Sequence, residues 1–239
     1  MYLYKWKEGL TSLDKEGFLV NDKETWWGCF QRGIFCKEIP LIHRAIDEIS
    51  NPKKNFIDIG AHVGTWSWLL APHFNMTYSF EPNKKIYNYL CGNIALRDVS
   101  DKIDTFNLGI SNEEKTLDFY NRSKDGGGNG FEPLKTTQPS SVVPLQVKPL
   151  DDFNFKNVGF IKIDVEGHEK KVLEGAQNTI FNNDHPPILF ESWPEGKHSF
   201  FHPGYANELR EELFTYVTEL GYNKIECWGF GEIFLATKQ

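Results

Sequence analysis

The sequence has no C-x-x-C pair: Cys29, Cys36, Cys91 and Cys227 lie far apart along 239 residues. That spacing offers no zinc or thiol-redox motif, and the four thiols read as reduced, small core residues of an intracellular protein. No uncharged apolar run approaches the ~18 residues a membrane span needs. The opening MYLYKWKEGL lacks the basic-then-apolar layout of a secretory leader, so the expected location is the cytoplasm. The glycosylation-like tripeptides at Asn75 and Asn121 are then accidental. A basic surface is missing too. The formal charge is -7 and the densest basic pairs are Lys53-Lys54, Lys84-Lys85 and Lys170-Lys171, which read as solvated faces. A protein that grips a polyphosphate backbone needs Lys and Arg clusters, so nucleic acid is not an expected partner. No internal repeat or linker divides the chain.

Aromatic residues are plentiful at 15%, which excludes disorder over most of the length and implies a real core with an additional loop-borne aromatic surface. The length suits one sizeable α/β domain. Apolar Ile39, Ile42, Ala45, Ile46 and Ile49 recur at helical spacing over 38–49, and Asn51-Pro52 stops that helix. Short apolar runs at 56–59, 77–80, 105–110, 160–163 and 188–190 read as strands. Helical patterns fall at 64–71, 86–96, 166–181 and 206–220. Alternation breaks at 111–150, where strands at 117–120 and 145–147 flank a Gly-, Ser- and Pro-rich loop, and a strand pair at 223–227 and 233–237 closes the chain. Strand–helix alternation with short connections predicts an open, largely parallel sheet wrapped by helices. The expected division is an N-terminal aromatic and helical extension over 1–50 and a domain over 51–239 with an insertion at 111–150.

The most informative segment is FIDIGAHVGTW, Phe56 to Trp66. A buried strand runs into a turn with Gly60 and Gly64, and a helix follows. Glycine there permits positive φ and close approach of backbone to a ligand, and open α/β sheets bind ligands beyond the carboxyl ends of their strands. Glu81 follows Gly60 by 21 residues, at the end of the next strand. A carboxylate about 20 positions on can accept from both ribose hydroxyls of a nucleotide. The glycine spacing is not the G-x-G-x-x-G of dinucleotide enzymes, and no Lys-Ser or Lys-Thr of an ATP phosphate loop follows it.

With Asp58 ahead of Gly60, the loop resembles the D-x-G-x-x-x-G of class I methyltransferases. Three further stretches bring the resemblance closer: FEPN at 80–83, NLGIS at 107–111 and IKIDVEGHEKKVLEGA at 161–176. With PPILFES at 186–192, the chain resembles the FkbM family over about residues 56–192. That resemblance implies a Rossmann-like class I methyltransferase fold, a mostly parallel seven-stranded sheet with helices on both faces. It also implies S-adenosylmethionine as methyl donor and oxygen as acceptor, mostly on sugars and natural products. By resemblance, Asp58, Gly60, Ala61, His62, Gly64 and Thr65 form the cofactor loop, with His62 equally a loop-filling side chain. Glu81 holds the ribose, and Asn107 and Leu108 flank the adenine.

Methyl transfer is an in-line displacement in which alignment supplies much of the rate, and a hydroxyl acceptor needs a proton acceptor or a metal. Asp164, Glu166 and His168 leave the strand beside the crevice, and Glu191 ends the next one. Histidine is the side chain suited to act as a base at neutral pH, which makes His168 a candidate, with Asp164 to orient it or to take the proton itself. A divalent cation held by Asp164 with Glu166 or Glu191 is possible but not favoured. The competing structural reading puts Glu166 and Glu169 in a helix's first turn, where acids favour the dipole. Glu191 and Trp193 are the expected acceptor contacts. His198, Phe200, Phe201, His202 and Tyr205 could extend an aromatic wall, or simply pack as a surface loop. The tract Asp125 to Gly130 reads as a mobile loop, and Trp26 and Trp27 as a cover for the crevice or as core. The leading expectation is an O-methyltransferase acting on a sugar or small polyhydroxyl compound. A protein or RNA methyltransferase, an inactive binding protein and an oxidoreductase are the alternatives, in falling order.

Overall fold

The computed structural model describes residues 38–122, 128–133, 139–194 and 204–239, with the backbone of two short paired strands, β1 (Tyr2–Tyr4) and β2 (Phe18–Val20). Trp26, Trp27, Cys29, Cys36, His198, Phe200, Phe201, His202 and the first half of the tract Asp125 to Gly130 lie outside the described residues.

Side chains of successive strand residues point to opposite faces, so a fully buried strand carries two apolar stripes. In β3 (Asn55–Ile59) every residue is buried. Phe56 joins Phe160 of β9 (Val158–Ile163), Leu189 of β10 (Ile188–Glu191) and Leu235 of β12 (Ile233–Thr237) under helices α1 (Ile39–Glu48) and α2 (Thr65–Leu70). Ile57, Ile59, Ile161, Ile163, Ile188 and Phe190 face the other way, against α4 (Glu169–Glu174), α5 (Gln177–Asn182) and α6 (Tyr205–Glu219). Helices therefore cover both faces. α3 (Lys84–Leu96) packs Leu90 and Ile94 beside Trp68 of α2.

The sheet runs β11 (Lys224–Gly229), β12, β10, β9, β3, β4 (Thr77–Phe80), β5 (Ile103–Phe106). β12 is antiparallel to both neighbours, and the other six strands share one direction. Strand order reverses between β3 and β9, which opens a crevice beyond their carboxyl ends. The expected seven-stranded, mostly parallel sheet is present.

Three local expectations change. The run 105–110 is not one strand: β5 ends at Phe106, and β6 (Gly109–Ile110) joins β8 (Ser141–Lys148) and β7 (Lys115–Asn121) in a separate three-stranded sheet. Asn107 separates them because its amide turns back to donate to the carbonyls of Glu81 and Pro82, both at 2.9 Å. The helix expected over 166–181 is two helices. The Gly175 carbonyl leaves α4 to accept from Asp151 N at 3.0 Å, and the Asp151 carboxylate restarts α5 by accepting from the amides of Asn178 and Thr179 at 2.9 and 2.7 Å. The described aromatics fill the interior more than loops: Phe56, Phe74, Phe80, Phe160, Phe190 and Tyr222 are fully buried.

The Tyr222 hydroxyl donates to the Pro186 carbonyl at 2.7 Å in this interior. Tyr222→Phe strands that carbonyl and is expected to lower unfolding free energy by about 1–2 kcal/mol in a urea melt, with an unchanged m-value.

Candidate active site

The turn after β3 folds as it does because three residues take left-handed backbone: Gly60 (φ 78°), His62 (φ 52°) and Gly64 (φ 92°). A Cβ on Gly60 would overlap the Asp164 carbonyl oxygen, and one on Gly64 would come within 2.6 Å of Leu90. Both positions need glycine for space as well as φ. Gly60 N and Ala61 N donate to the Phe80 carbonyl at 3.0 and 2.9 Å, which ties the turn to the end of β4. His62, for a non-glycine residue, is held in a strained conformation.

Each residue of FEPN has a local task. Glu81 accepts from His62 N at 3.0 Å and Asn83 N at 2.8 Å, so one carboxylate braces the glycine turn and its own loop. Asn83 then caps α3 by accepting from Lys85 N and Ile86 N. Burial raises the Glu81 carboxyl to about 7, against the opposing pull of the Asn83 and His62 amides. Asn107 lies behind this loop and does not line the crevice, whereas Leu108 does.

Below the turn lies a buried charge network. Asp58 and Lys162 are register neighbours on β3 and β9 and share one face of the sheet. The Lys162 ammonium donates to the Gly60 carbonyl at 3.2 Å and sits 3.5 Å from Asp58 Oδ1 and 3.5 Å from Asp164 Oδ2. Ser79 donates to Ser67 at 2.9 Å and Ser67 to Asp58 Oδ2 at 2.6 Å, continuing the chain across β4 and α2. Burial raises the Asp58 carboxyl. Burial would lower the Lys162 pKa, but the carboxylates of Asp164, Asp58 and Glu38 together hold it above the ordinary lysine value. Lys162 keeps its proton. Glu38, just before α1, accepts from Trp66 Nε1 at 3.0 Å, and burial raises its carboxyl.

The crevice rim carries carboxylates from the ends of β9 and β10. One oxygen each of Asp164, Glu166 and Glu191 lies within 4.8 Å of the others. Glu166 and Gly167 take φ 57° and 97°, so α4 begins only at Glu169 and Glu166 is not in its first turn. Glu169 holds this turn by accepting from Val165 N and Gly167 N at 3.0 and 3.3 Å; burial pushes its carboxyl up to about 8. Glu166 in turn accepts from Gly128 N at 2.9 Å.

Two expected contacts face elsewhere. His168 does not line the crevice. Its ring is buried, with Nε2 3.0 Å from Ser111 Oγ, Nδ1 2.8 Å from Glu132, and Phe131 alongside. Both nitrogens are engaged, so it joins the rim turn to the small sheet and offers no base to a ligand. Trp193 packs its ring over Gly167 and donates to Glu191 at 3.2 Å, orienting that carboxylate from behind. Asp58 and Gly64 also lie behind the lining, which does include Gly60, Ala61, His62, Thr65, Glu81, Leu108, Asp164, Glu166 and Glu191.

The crevice encloses about 420 Å³, within the ~300–1,000 Å³ of small-molecule sites. Among the described lining residues six carboxylates (Glu38, Glu81, Asp164, Glu166, Glu191, Glu232) face one ammonium, Lys162. Such a lining repels a polyphosphate and attracts a cation. Sequence reasoning missed Lys162 and Glu38. Lys162 carried a signal: a lone charge inside the apolar run of β9, where lysine is almost never buried unless paired. Glu38 carried none.

Residues 58–224 match the family model of the methyltransferase FkbM domain. Methyltransferase 1 of Beauveria bassiana (strain ARSEF 2860) is 28% identical over 172 residues, 59% of this chain and 68% of that protein. The crystal structure of methyltransferase FkbM from Methylobacillus flagellatus KT matches with a TM-score of 0.52 at 14% identity, over 89% of this chain and 54% of its own. This chain thus spans about half the length of that protein. Precorrin-6y C5,15-methyltransferase from Geobacter metallireducens GS-15 gives a TM-score of 0.54 at 9% identity over 98% of this chain and 100% of its own. These two likenesses establish the fold.

Lys162→Met would leave Asp58 and Asp164 without their cation and is expected to cost about 3–5 kcal/mol of stability at pH 8. The Lys162 contribution is constant below its unfolded pKa, since its folded pKa is raised. The uncompensated Asp58, with its raised folded pKa, destabilises progressively as pH climbs above its unfolded value. Denaturant melts at pH 5 and 8 should therefore show the smaller loss at pH 5; equal losses would refute the coupling.

Proposed function

The chain belongs to the FkbM methyltransferase family, and we propose that it places the methyl group of S-adenosylmethionine on a hydroxyl of a small, sugar-like acceptor. Bound S-adenosylmethionine supplies a methyl carbon on a cationic sulfur, and transfer leaves that sulfur as a neutral thioether. The observation that carries the acceptor reading is the carboxylate rim. Asp164, Glu166 and Glu191 converge on the crevice lining, and carboxylates accept hydrogen bonds from hydroxyls. Glu81 and the Gly60 turn hold the other end, where the ribose hydroxyls find a carboxylate and a close backbone.

Asp164 is the base in this reading. Its side chain is 34% exposed, so an acceptor can reach it. The acceptor oxygen bonds to the methyl carbon as the carbon–sulfur bond breaks, and the hydroxyl proton passes to Asp164. Glu191, oriented by Trp193, and Glu166 position the remaining hydroxyls. The acidic lining also disfavours a nucleic-acid acceptor, whose phosphates would meet like charge. A second reading gives the three carboxylates a hard divalent cation, since all-oxygen donor sets suit magnesium or calcium. Protein donors already hold Glu191 and Glu166, which favours the proton-accepting role.

Methyl transfer from labelled S-adenosylmethionine into a panel of glycans, polyols, peptides and RNA should label the polyhydroxyl compounds and persist in chelator. Label in peptide or RNA alone would overturn the acceptor reading, and loss of activity in chelator would establish the metal. Asp164→Asn is expected to reduce kcat about 10²–10⁴-fold with little change in cofactor affinity.

Ribose hydroxyls donate more strongly to Glu81 when it is ionised, because a charged acceptor makes the stronger bond. Because burial raises its carboxyl to about 7, affinity for S-adenosylhomocysteine should rise between pH 6 and 8, by at most about tenfold. Glu81→Ala should weaken binding by about 1–3 kcal/mol and flatten that dependence. A flat profile in the wild-type protein, read by calorimetry, would contradict the ribose assignment.

A further inference from the structure

We propose that Lys162 is the receptor for the α-carboxylate at the amino-acid end of bound S-adenosylmethionine. The inference rests on the cofactor reading above and deepens it by assigning a residue to the cofactor's sole anionic group.

Backbone amides are the usual alternative for such a carboxylate, and here four of the turn's amides are already engaged. Gly60 N and Ala61 N donate to Phe80, His62 N to Glu81, and Gly64 N to Ala61. The helix that follows, α2, has six residues and makes a weak dipole. Six carboxylates share the described lining, and Lys162 is the ammonium among them.

Lys162 also has capacity to spare. An ammonium carries three donors. Its bond to the Gly60 carbonyl uses one, at 3.2 Å. Asp58 and Asp164 each stand 3.5 Å away, well beyond the ~2.7–2.9 Å of a formed charge-assisted hydrogen bond. These carboxylates keep the lysine charged without saturating it. Placement agrees with that role. Lys162 stands on β9 in register with Asp58 of β3, directly under the Gly60 turn, and it lines the crevice although it is buried. A structural ion pair would need one acid. Glu38, Asp58 and Asp164 together leave this end of the crevice able to accept a ligand that is cationic overall at sulfur and amine while offering one carboxylate.

The test compares S-adenosylhomocysteine with its decarboxylated analogue by calorimetry on the full chain at pH 8. The wild-type protein should prefer the carboxylate-bearing ligand by about 10–100-fold, the range for one charge-assisted hydrogen bond. In the paired variant Lys162→Met, Asp58→Asn, which removes both members of the buried pair and so spares the fold, the preference should fall to about twofold. Glu81→Ala, acting on the ribose common to both ligands, should weaken both and leave the ratio intact. Equal wild-type affinities would overturn the proposal without any variant, as would a paired variant that kept the full preference. If the wild-type protein bound neither ligand, the cofactor reading itself would fall.

Discussion

Gly60 lies bare against the Asp164 carbonyl, and this one close approach fixes the rest of the site. It brings the ends of β3 and β9 together at the point where strand order reverses, so the cofactor turn and the carboxylate rim become neighbours. A side chain of any size at residue 60 would push the two apart. The same approach sets Lys162 under the turn, where its ammonium reaches the Gly60 carbonyl and faces acids from both strands.

Charge then does what shape alone cannot. The buried Asp58–Lys162 pair costs desolvation on both sides, and a pair of apolar residues would hold the strands at least as well. What apolar residues could not do is keep an ammonium at the floor of a crevice lined with carboxylates. Glu81 uses a similar economy: one carboxylate takes amides from the glycine turn and from its own loop while still facing the crevice. The rim is also held from behind. Glu169 clasps the Val165–Gly167 turn, Trp193 donates to Glu191, and His168 joins that turn to the small sheet through Ser111 and Glu132. These residues support the carboxylates without entering the crevice.

Much of this was legible in one dimension. Buried parallel strands read as short apolar runs, and glycines at 60 and 64 with Glu81 21 residues on marked the ligand-facing end of the sheet. Asp58, Gly60, Glu81 and Asp164 were all picked out, and the structure brings them to one crevice or directly behind it. The helix over 166–181 was misread as continuous because the interruption comes from Asp151, a residue distant in sequence that captures the Gly175 carbonyl and recaps the chain. His168 looked like a base because its spacing from Asp164 puts it near the strand end. Whether a ring turns toward a crevice or toward Ser111 depends on a backbone turn at Glu166 and Gly167 that periodicity does not encode.

The division follows the range of the forces involved. Periodicity, glycine and local carboxylate–amide bonds act over a few residues, so the sequence by itself determined the strands, the glycine turn, the position of Glu81 and the sheet class. Packing across strands decided the remainder: the ammonium of Lys162 among Asp58, Asp164 and Glu38, the engagement of His168 and Trp193, and the convergence of Asp164, Glu166 and Glu191. Those relations join residues far apart in the chain, and only the folded sheet brings them within hydrogen-bonding and Coulombic reach.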